Sequence, residues 1–260
     1  MPVARSSDGV DIAYRSVGKD PPTVVFMHGW AGSGAYFDVL LEHLDHTRLR
    51  SVTFDFRGHG DSGRPDDGYT LDRFADDVLA VADDAGAKTF VLVGFSMSGK
   101  FAQYVSSRQP ARVLGQVLVG GCPVGELPLP PELVADWYGR AGSAEQMIDI
   151  VRSFATQPIA ENVLDDFGRD AARVPLVALR GTMEAVTATS FVEELADATT
   201  PTVVIAGLRD QMFSPDALRE GVVAPLRSAR LEVFDCGHEI PIERPQELAA
   251  LIEGFLAELS

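Results

Sequence analysis

The sequence predicts an α/β fold, a mostly parallel sheet flanked by helices, and three observations carry that reading. Short β-branched apolar runs alternate along the chain with longer stretches of helical period, the pattern of successive βα units. Several of the short runs are continuously apolar, Thr23-Val24-Val25-Phe26-Met27 among them, as strands buried on both faces must be. The strands also end in loops dense with glycine and polar groups, where parallel sheets of this kind place their ligands.

The elements follow in order. Residues 10–17 alternate and read as an edge strand, and the run at 23–27 is the first buried strand. A glycine-rich loop, His28-Gly29-Trp30-Ala31-Gly32-Ser33-Gly34, leads into a helix over about 35–44. Strand 50–55 precedes a second polar loop, Arg57-Gly58-His59-Gly60-Asp61-Ser62-Gly63. Thr70 is a good N-cap for a helix over 71–85, whose Leu71, Phe74, Ala75, Val78, Leu79 and Ala82 share one stripe, and Gly86 ends it. Strand 89–94 runs directly into Ser96 and a helix over 97–108 that Pro110 terminates. Strand 113–119 comes next, and then the strand rhythm stops until 202–207. The stretch between carries Pro128, Pro130, Pro131, Pro158 and Pro175 around helical patches at 131–138 and 145–155. We read 123–187 as a helical cap inserted into a core formed by 1–122 and 188–260. These helices could instead only cover a sheet face, but an insertion at the carboxyl ends of parallel strands lies where ligands bind, which favours a lid. Strand 231–235 and an amphipathic helix over 245–259 close the chain.

At 260 residues the chain is of a size that α/β folds commonly build around a single core. Its 46% hydrophobic and 23% charged residues are those of an ordinary globular protein rather than a disordered one. A formal net charge of -16 repels phosphate backbones and anionic headgroups, so neither nucleic acid nor a membrane surface is an expected partner. The expected partner is a small-molecule substrate; the oligomeric state stays open. The N-terminus has no apolar signal region and no stretch is long and apolar enough for a membrane span, so a cytoplasmic location is expected. Cys122 and Cys236 are too few for a disulfide framework and lie in no zinc-binding spacing. No metal set is visible, and Gly29 to Gly34 lacks the Lys-Ser/Thr ending of a phosphate-binding loop, so no metal or cofactor is expected.

The chemistry concentrates at Gly94-Phe95-Ser96-Met97-Ser98-Gly99. A serine hydroxyl is a weak nucleophile at its own pKa and needs a neighbouring base and a turn that exposes its oxygen. Such a turn between strand and helix is strained, and small residues two before and two after the serine keep the crossing backbones apart. Gly94 and Ser98 meet that need, with Ser98 standing where glycine is usual. The alternative is a loop serine that merely caps the following helix; the position directly after a strand and before a helix favours the nucleophile.

On these residues the sequence resembles the α/β-hydrolase superfamily, its serine esterase and perhydrolase branch, over essentially its whole length. His28-Gly29-Trp30 resembles that family's oxyanion loop, Asp55-Phe56-Arg57-Gly58-His59-Gly60-Asp61-Ser62 its second loop motif, and Asp210 and His238 stand where its acid and base lie. The resemblance implies an eight-stranded, mostly parallel sheet with the cap after the sixth strand. It also implies backbone N–H donors from Trp30 and Met97 for the oxyanion, worth about 3 kcal/mol each in such sites.

His238 follows a strand and precedes the last helix, completing the order Ser, Asp, His that this fold uses. Of the other histidines, His43 and His46 fall at a surface helix end, and His28 and His59 belong to loop motifs where they orient backbone. Asp210 follows a buried strand and suits the acid that fixes the imidazole tautomer, with Glu126 as the reserve candidate and Asp235 as a structural residue. Trp30 and Phe95 are candidate walls of the substrate pocket. If the family strand order holds, one strand separates Cys122 from Cys236 by about twice 4.8 Å, too far for a bridge, so free thiols are expected.

The expected reaction is hydrolysis of a small carboxylic ester or lactone through an acyl-enzyme on Ser96. Rivals on the same fold are a carbon–carbon bond hydrolase acting on β-diketones, a cofactor-free perhydrolase or haloperoxidase, to whose loop His28-Gly29-Trp30 is similar, and a non-catalytic ligand receptor. Ser96 disfavours epoxide hydrolases and dehalogenases, which carry aspartate at that position.

Overall fold

The computed structural model describes residues 1–19, 21–195 and 198–259. Its strands, β1 (Val3–Arg5), β2 (Asp11–Val17), β3 (Thr23–Met27), β4 (Arg50–Phe54), β5 (Phe90–Phe95), β6 (Val113–Val119), β7 (Thr202–Gly207) and β8 (Ala229–Phe234), form one eight-stranded sheet. The order across the sheet is β1-β2-β4-β3-β5-β6-β7-β8. β1 and β2 pair antiparallel, as do β2 and β4, and every later pairing is parallel.

Strict alternation along the central strands sends neighbouring residues into two cores. Val25 and Met27 of β3 and Leu92 of β5 face one of them, with Phe74 and Val78 of α2 (Leu71–Asp84) and Phe101 of α3 (Met97–Arg108). Val24, Phe26, Val91 and Val93 face the other, with Leu40 of α1 (Asp38–Leu41) and Leu248, Ile252 and Phe255 of α10 (Pro245–Glu258). Burial on both faces explains why these strands read as unbroken apolar runs.

Two expectations need correction. Residues 10–17 do not form an edge strand, because the three-residue β1 pairs with β2 and takes the edge. The helix expected over 35–44 shrinks to a 3-10 turn, Gly34–Phe37, and the single turn α1. There the Asp55 carboxylate accepts the Gly34 N–H at 2.7 Å, and a Cβ at Gly34 would sit 3.1 Å from the Phe54 backbone, so tertiary contact overrides helical pattern.

Between β6 and β7 lie four helices inside the expected insertion: α4 (Pro131–Gly139), α5 (Ala144–Phe154), α6 (Glu161–Ala172) and α7 (Leu176–Thr187). After β7 come α8 (Pro215–Leu218), β8 and α9 (Ile240–Glu243), which precedes α10. The entry and exit of the insertion are tied together, Leu127 N–H donating to Thr187 O at 2.9 Å and Phe191 N–H to Val124 O at 3.3 Å. Fully buried Lys100 of α3 reinforces the tie: its ammonium donates to Gly125 O, Val186 O and Thr189 O at 2.8, 2.7 and 2.6 Å. Lys100→Met would strand three carbonyls, and a loss of about 3 kcal/mol is expected in urea unfolding.

Candidate active site

Ser96 sits where β5 meets α3, with φ 53° and ψ -117°. Positive φ in a residue with a Cβ costs on the order of 1–3 kcal/mol, so the surroundings must enforce it. They do so through Ser96 N–H donating to Val119 O at 2.9 Å, while Ser96 O accepts from Gly99 N at 3.0 Å and Cys122 N at 2.9 Å. A Cβ on Gly94 would lie 2.5 Å from Ser98 O, and one on Gly99 would lie 2.4 Å from Gly121 Cα, so both glycines are required by close approach. Ser98 keeps its side chain because the hydroxyl turns inward to donate to Met27 O and lies 3.0 Å from Phe95 O, pinning α3 to the ends of β3 and β5.

His238 reaches Ser96 from the loop after β8. Its Nε2 lies 2.9 Å from Ser96 Oγ and its Nδ1 2.7 Å from Asp210 Oδ2. Asp210 Oδ1 accepts the N–H groups of Met212 and Phe213 at 2.7 and 3.0 Å, which fixes the carboxylate. An ionised carboxylate can only accept, so Nδ1 carries the proton and Nε2 offers a lone pair to the serine hydroxyl. Burial disfavours a charged His238, but the Asp210 hydrogen bond and the charges of Asp210, Glu239 and Glu243 outweigh it and raise its pKa above 6.5. The loop is held from the insertion: His238 N–H donates to Phe154 O at 3.0 Å, and Glu243 accepts from Gly237, Thr156 and Gln157 N–H groups. Gly120, with φ 53°, leaves the ring its space, since a Cβ there would stand 3.2 Å from His238 Cε1.

The turn after β3 closes on the serine, because a Cβ on Gly29 would be 3.5 Å from Ser96 Cβ. The N–H groups of Trp30 and of Met97, the latter in the first turn of α3, donate to no protein acceptor among the described residues. His28 orders this turn, its Nδ1 lying 2.8 Å from Gly29 O and its Nε2 accepting Phe56 N–H at 3.1 Å, and burial lowers its pKa to about 4. His59 is likewise buried and neutral, beside Arg57 O. His43 is exposed as expected, whereas His46 folds back, with Nε2 3.0 Å from Leu41 O. Glu126 is exposed and takes no place at His238, and Asp235 pairs with Arg209 at the surface. Cys122 and Cys236 are free and buried, with β7 between their strands, and burial pushes both thiols up to about 12.

Two small cavities flank Ser96, of about 90 and 50 Å³, and share Trp30, Ser96, Trp137 and Met212 as their common wall. Trp30 and Trp137 pack with ring centroids 5.5 Å apart, and Trp30 Nε1 donates to Leu179 O at 3.0 Å. Phe95, as expected, lines the larger cavity, where the sequence had not pointed to Tyr36, Trp137, Phe154 or Glu239. Among the described residues no cluster of His, Cys, Asp or Glu is placed to hold a metal ion, and no helix is long and apolar enough to cross a membrane.

Glu239 is 4% exposed, and the Tyr36 hydroxyl donates to its Oε2. Burial, aided by the Glu243 and Asp210 charges and opposed by His238 and Tyr36, pushes its pKa from 4.5 to about 7. Between those values the folded chain keeps a proton that the unfolded chain releases. Stability therefore falls as pH rises across this window, by on the order of 3 kcal/mol. Glu239→Gln is expected to remove that slope, so its stability relative to the parent rises from about pH 5 to about pH 8 in urea denaturation.

A serine on a strained strand-to-helix turn, touched by an oriented imidazole at the carboxyl ends of a parallel sheet, defines an α/β-hydrolase class of protein. A family model described as alpha/beta hydrolase fold matches residues 22–245, and the chain belongs to that family and is an enzyme. The non-heme chloroperoxidase CPO-A1 of Kitasatospora aureofaciens is 29% identical over 257 residues, covering 90% of each chain. The non-heme chloroperoxidase of Burkholderia pyrrocinia is 31% identical over 234 residues, covering 82% of this chain and 83% of its own. An esterase from Exiguobacterium antarcticum superposes with TM-score 0.88 at 20% identity, over 98% of both chains, and shares the fold.

Proposed function

We propose that the enzyme is a serine hydrolase of small carboxylic esters or lactones, working through an acyl-enzyme on Ser96. The observation that carries this reading is the hydrogen-bond chain Ser96–His238–Asp210, at 2.9 and 2.7 Å, built on the strained turn. His238 takes the Ser96 proton as the oxygen attacks the carbonyl, and Asp210 stabilises the imidazolium that forms. The tetrahedral oxyanion is received by the N–H groups of Trp30 and Met97. His238 then protonates the departing alkoxide, and water, deprotonated by the same ring, releases the acid.

The helices α4 to α7 act as the cap, with Trp137 and Phe154 closing over the acyl centre. The two cavities suit the two arms of an ester, both of modest size. The substrate is a small molecule, and two free buried thiols accord with a cytoplasmic location.

A second reading shares every step but the last and is favoured by the haloperoxidase relatives. Hydrogen peroxide in place of water attacks the acyl-enzyme, freeing Ser96 and giving a peracid, which then oxidises halide to hypohalous acid and returns the carboxylic acid. Initial rates on aryl esters of increasing acyl length, simple lactones and a β-diketone, each with and without peroxide, test both. Aryl ester hydrolysis with a burst of phenol is expected, with peracid appearing when peroxide is added under the second reading. Cleavage of the β-diketone with esters untouched would overturn the ester proposal.

A further inference from the structure

The larger cavity is walled almost wholly by aromatic and aliphatic side chains, and Ser96 and His238 are committed to each other. One carboxyl group lines this apolar wall, that of Glu239. A carboxyl group in such a place is costly unless hydrogen bonds satisfy it. Here the protein supplies one: Tyr36 donates to Oε2, while Oε1 receives no donor among the described residues. Tyr36 is itself fixed, stacked on Phe95 with centroids 5.1 Å apart and an interplanar angle of 9°, and edge-on to Phe167 at 6.2 Å. Glu239, a residue that lines the space beside the nucleophile, thus carries a carboxylate held at one oxygen and left without a protein donor at the other among the described residues.

We propose that Glu239, held by Tyr36, is a specificity-determining residue that receives a hydrogen-bond-donating group of the substrate, an ammonium ahead of a hydroxyl, in the larger cavity. A carboxylate accepts only, so a donor on the ligand completes its hydrogen bonding, and a positive donor also offsets its buried charge. A ligand carboxylate at the same position would meet like charge with no intervening cation. The groups facing Glu239 are His238, Tyr36, Glu243 and Asp210, which leave the region net negative when His238 is neutral. With its pKa near 7, the carboxylate is charged at mildly alkaline pH, where the preference for ammonium is strongest. The inference rests on the ester reading for what the ligand is, but binding alone tests it.

The test is calorimetric titration of Ser96→Ala protein, which cannot turn over, at about pH 8 with phenylbutylamine, phenylbutanol and phenylbutanoate. Expected is the order amine, alcohol, carboxylate, with at least about tenfold between first and last. Glu239→Leu should collapse that order, and Glu239→Gln should retain alcohol binding while losing the advantage of the amine, which a purely structural role would not produce. The same order in Glu239→Leu, a carboxylate that binds as well as the amine, or no binding of the amine at millimolar concentration overturns the proposal. Failure of Ser96 to react with an acylating or phosphonylating probe would count against the ester reading alone and leave the binding order standing.

Discussion

Ser96→Ala is expected to lower kcat for an aryl ester by on the order of 10⁴ to 10⁶-fold with KM little changed, because under the proposed mechanism the acyl-enzyme cannot form while the cavities beside Ser96 remain. The residual rate would come from the Trp30 and Met97 N–H groups acting on a water-attacked carbonyl. His238→Ala should fall in the same range, and the double variant should be no worse than either single one, since the two residues act as a unit. Steady-state kinetics on the three variants checks this. Additive losses would mean that Ser96 and His238 do not share a step.

The second large effect is expected from Asp210→Asn, a loss of about 10⁴-fold in kcat near neutral pH. An asparagine would keep the shape of the acid, but its amide can donate to Nδ1 and so moves the imidazole proton to Nε2, facing Ser96 Oγ with a hydrogen rather than a lone pair. The variant also removes the main support for a charged His238, whose pKa the Asp210 hydrogen bond raises against burial. The acid limb of kcat/KM, placed above pH 6.5 in the parent, should therefore move to lower pH as the rate falls. A pH–rate profile reads both changes, and an unmoved limb would detach Asp210 from the base.

How much of this could be read from the chain depends on how local each signal is. The Ser96 turn was legible because its geometry demands small residues at fixed spacing, and Gly94 and Gly99 meet backbone that no Cβ could approach. Asp210 and His238 were legible by chain order at strand ends. The central strands announced themselves as apolar runs because both faces are buried. By contrast, β1 has three residues, too few for any pattern, and its pairing to β2 moved the edge of the sheet. The turn and short helix after Gly34 follow contacts to Phe54 and Asp55 rather than local preference.

The parts of the site not legible in the sequence are all long-range contacts. Tyr36 and Glu239 meet across 203 positions, and Trp30 meets Trp137 only once the inserted helices fold over the sheet. Nothing in the neighbourhood of either residue announces its partner. Glu239 adjoins His238 and was the one member with a usable signal, an acidic residue next to the proposed base in a buried loop.

Ser96 as the nucleophile is tested by treating the native protein with a fluorophosphonate and mapping the adduct by mass spectrometry. A single adduct is expected on the peptide carrying Ser96, absent from Ser96→Ala and formed far more slowly in His238→Ala. An adduct at another residue, or none on the native protein, would contradict it.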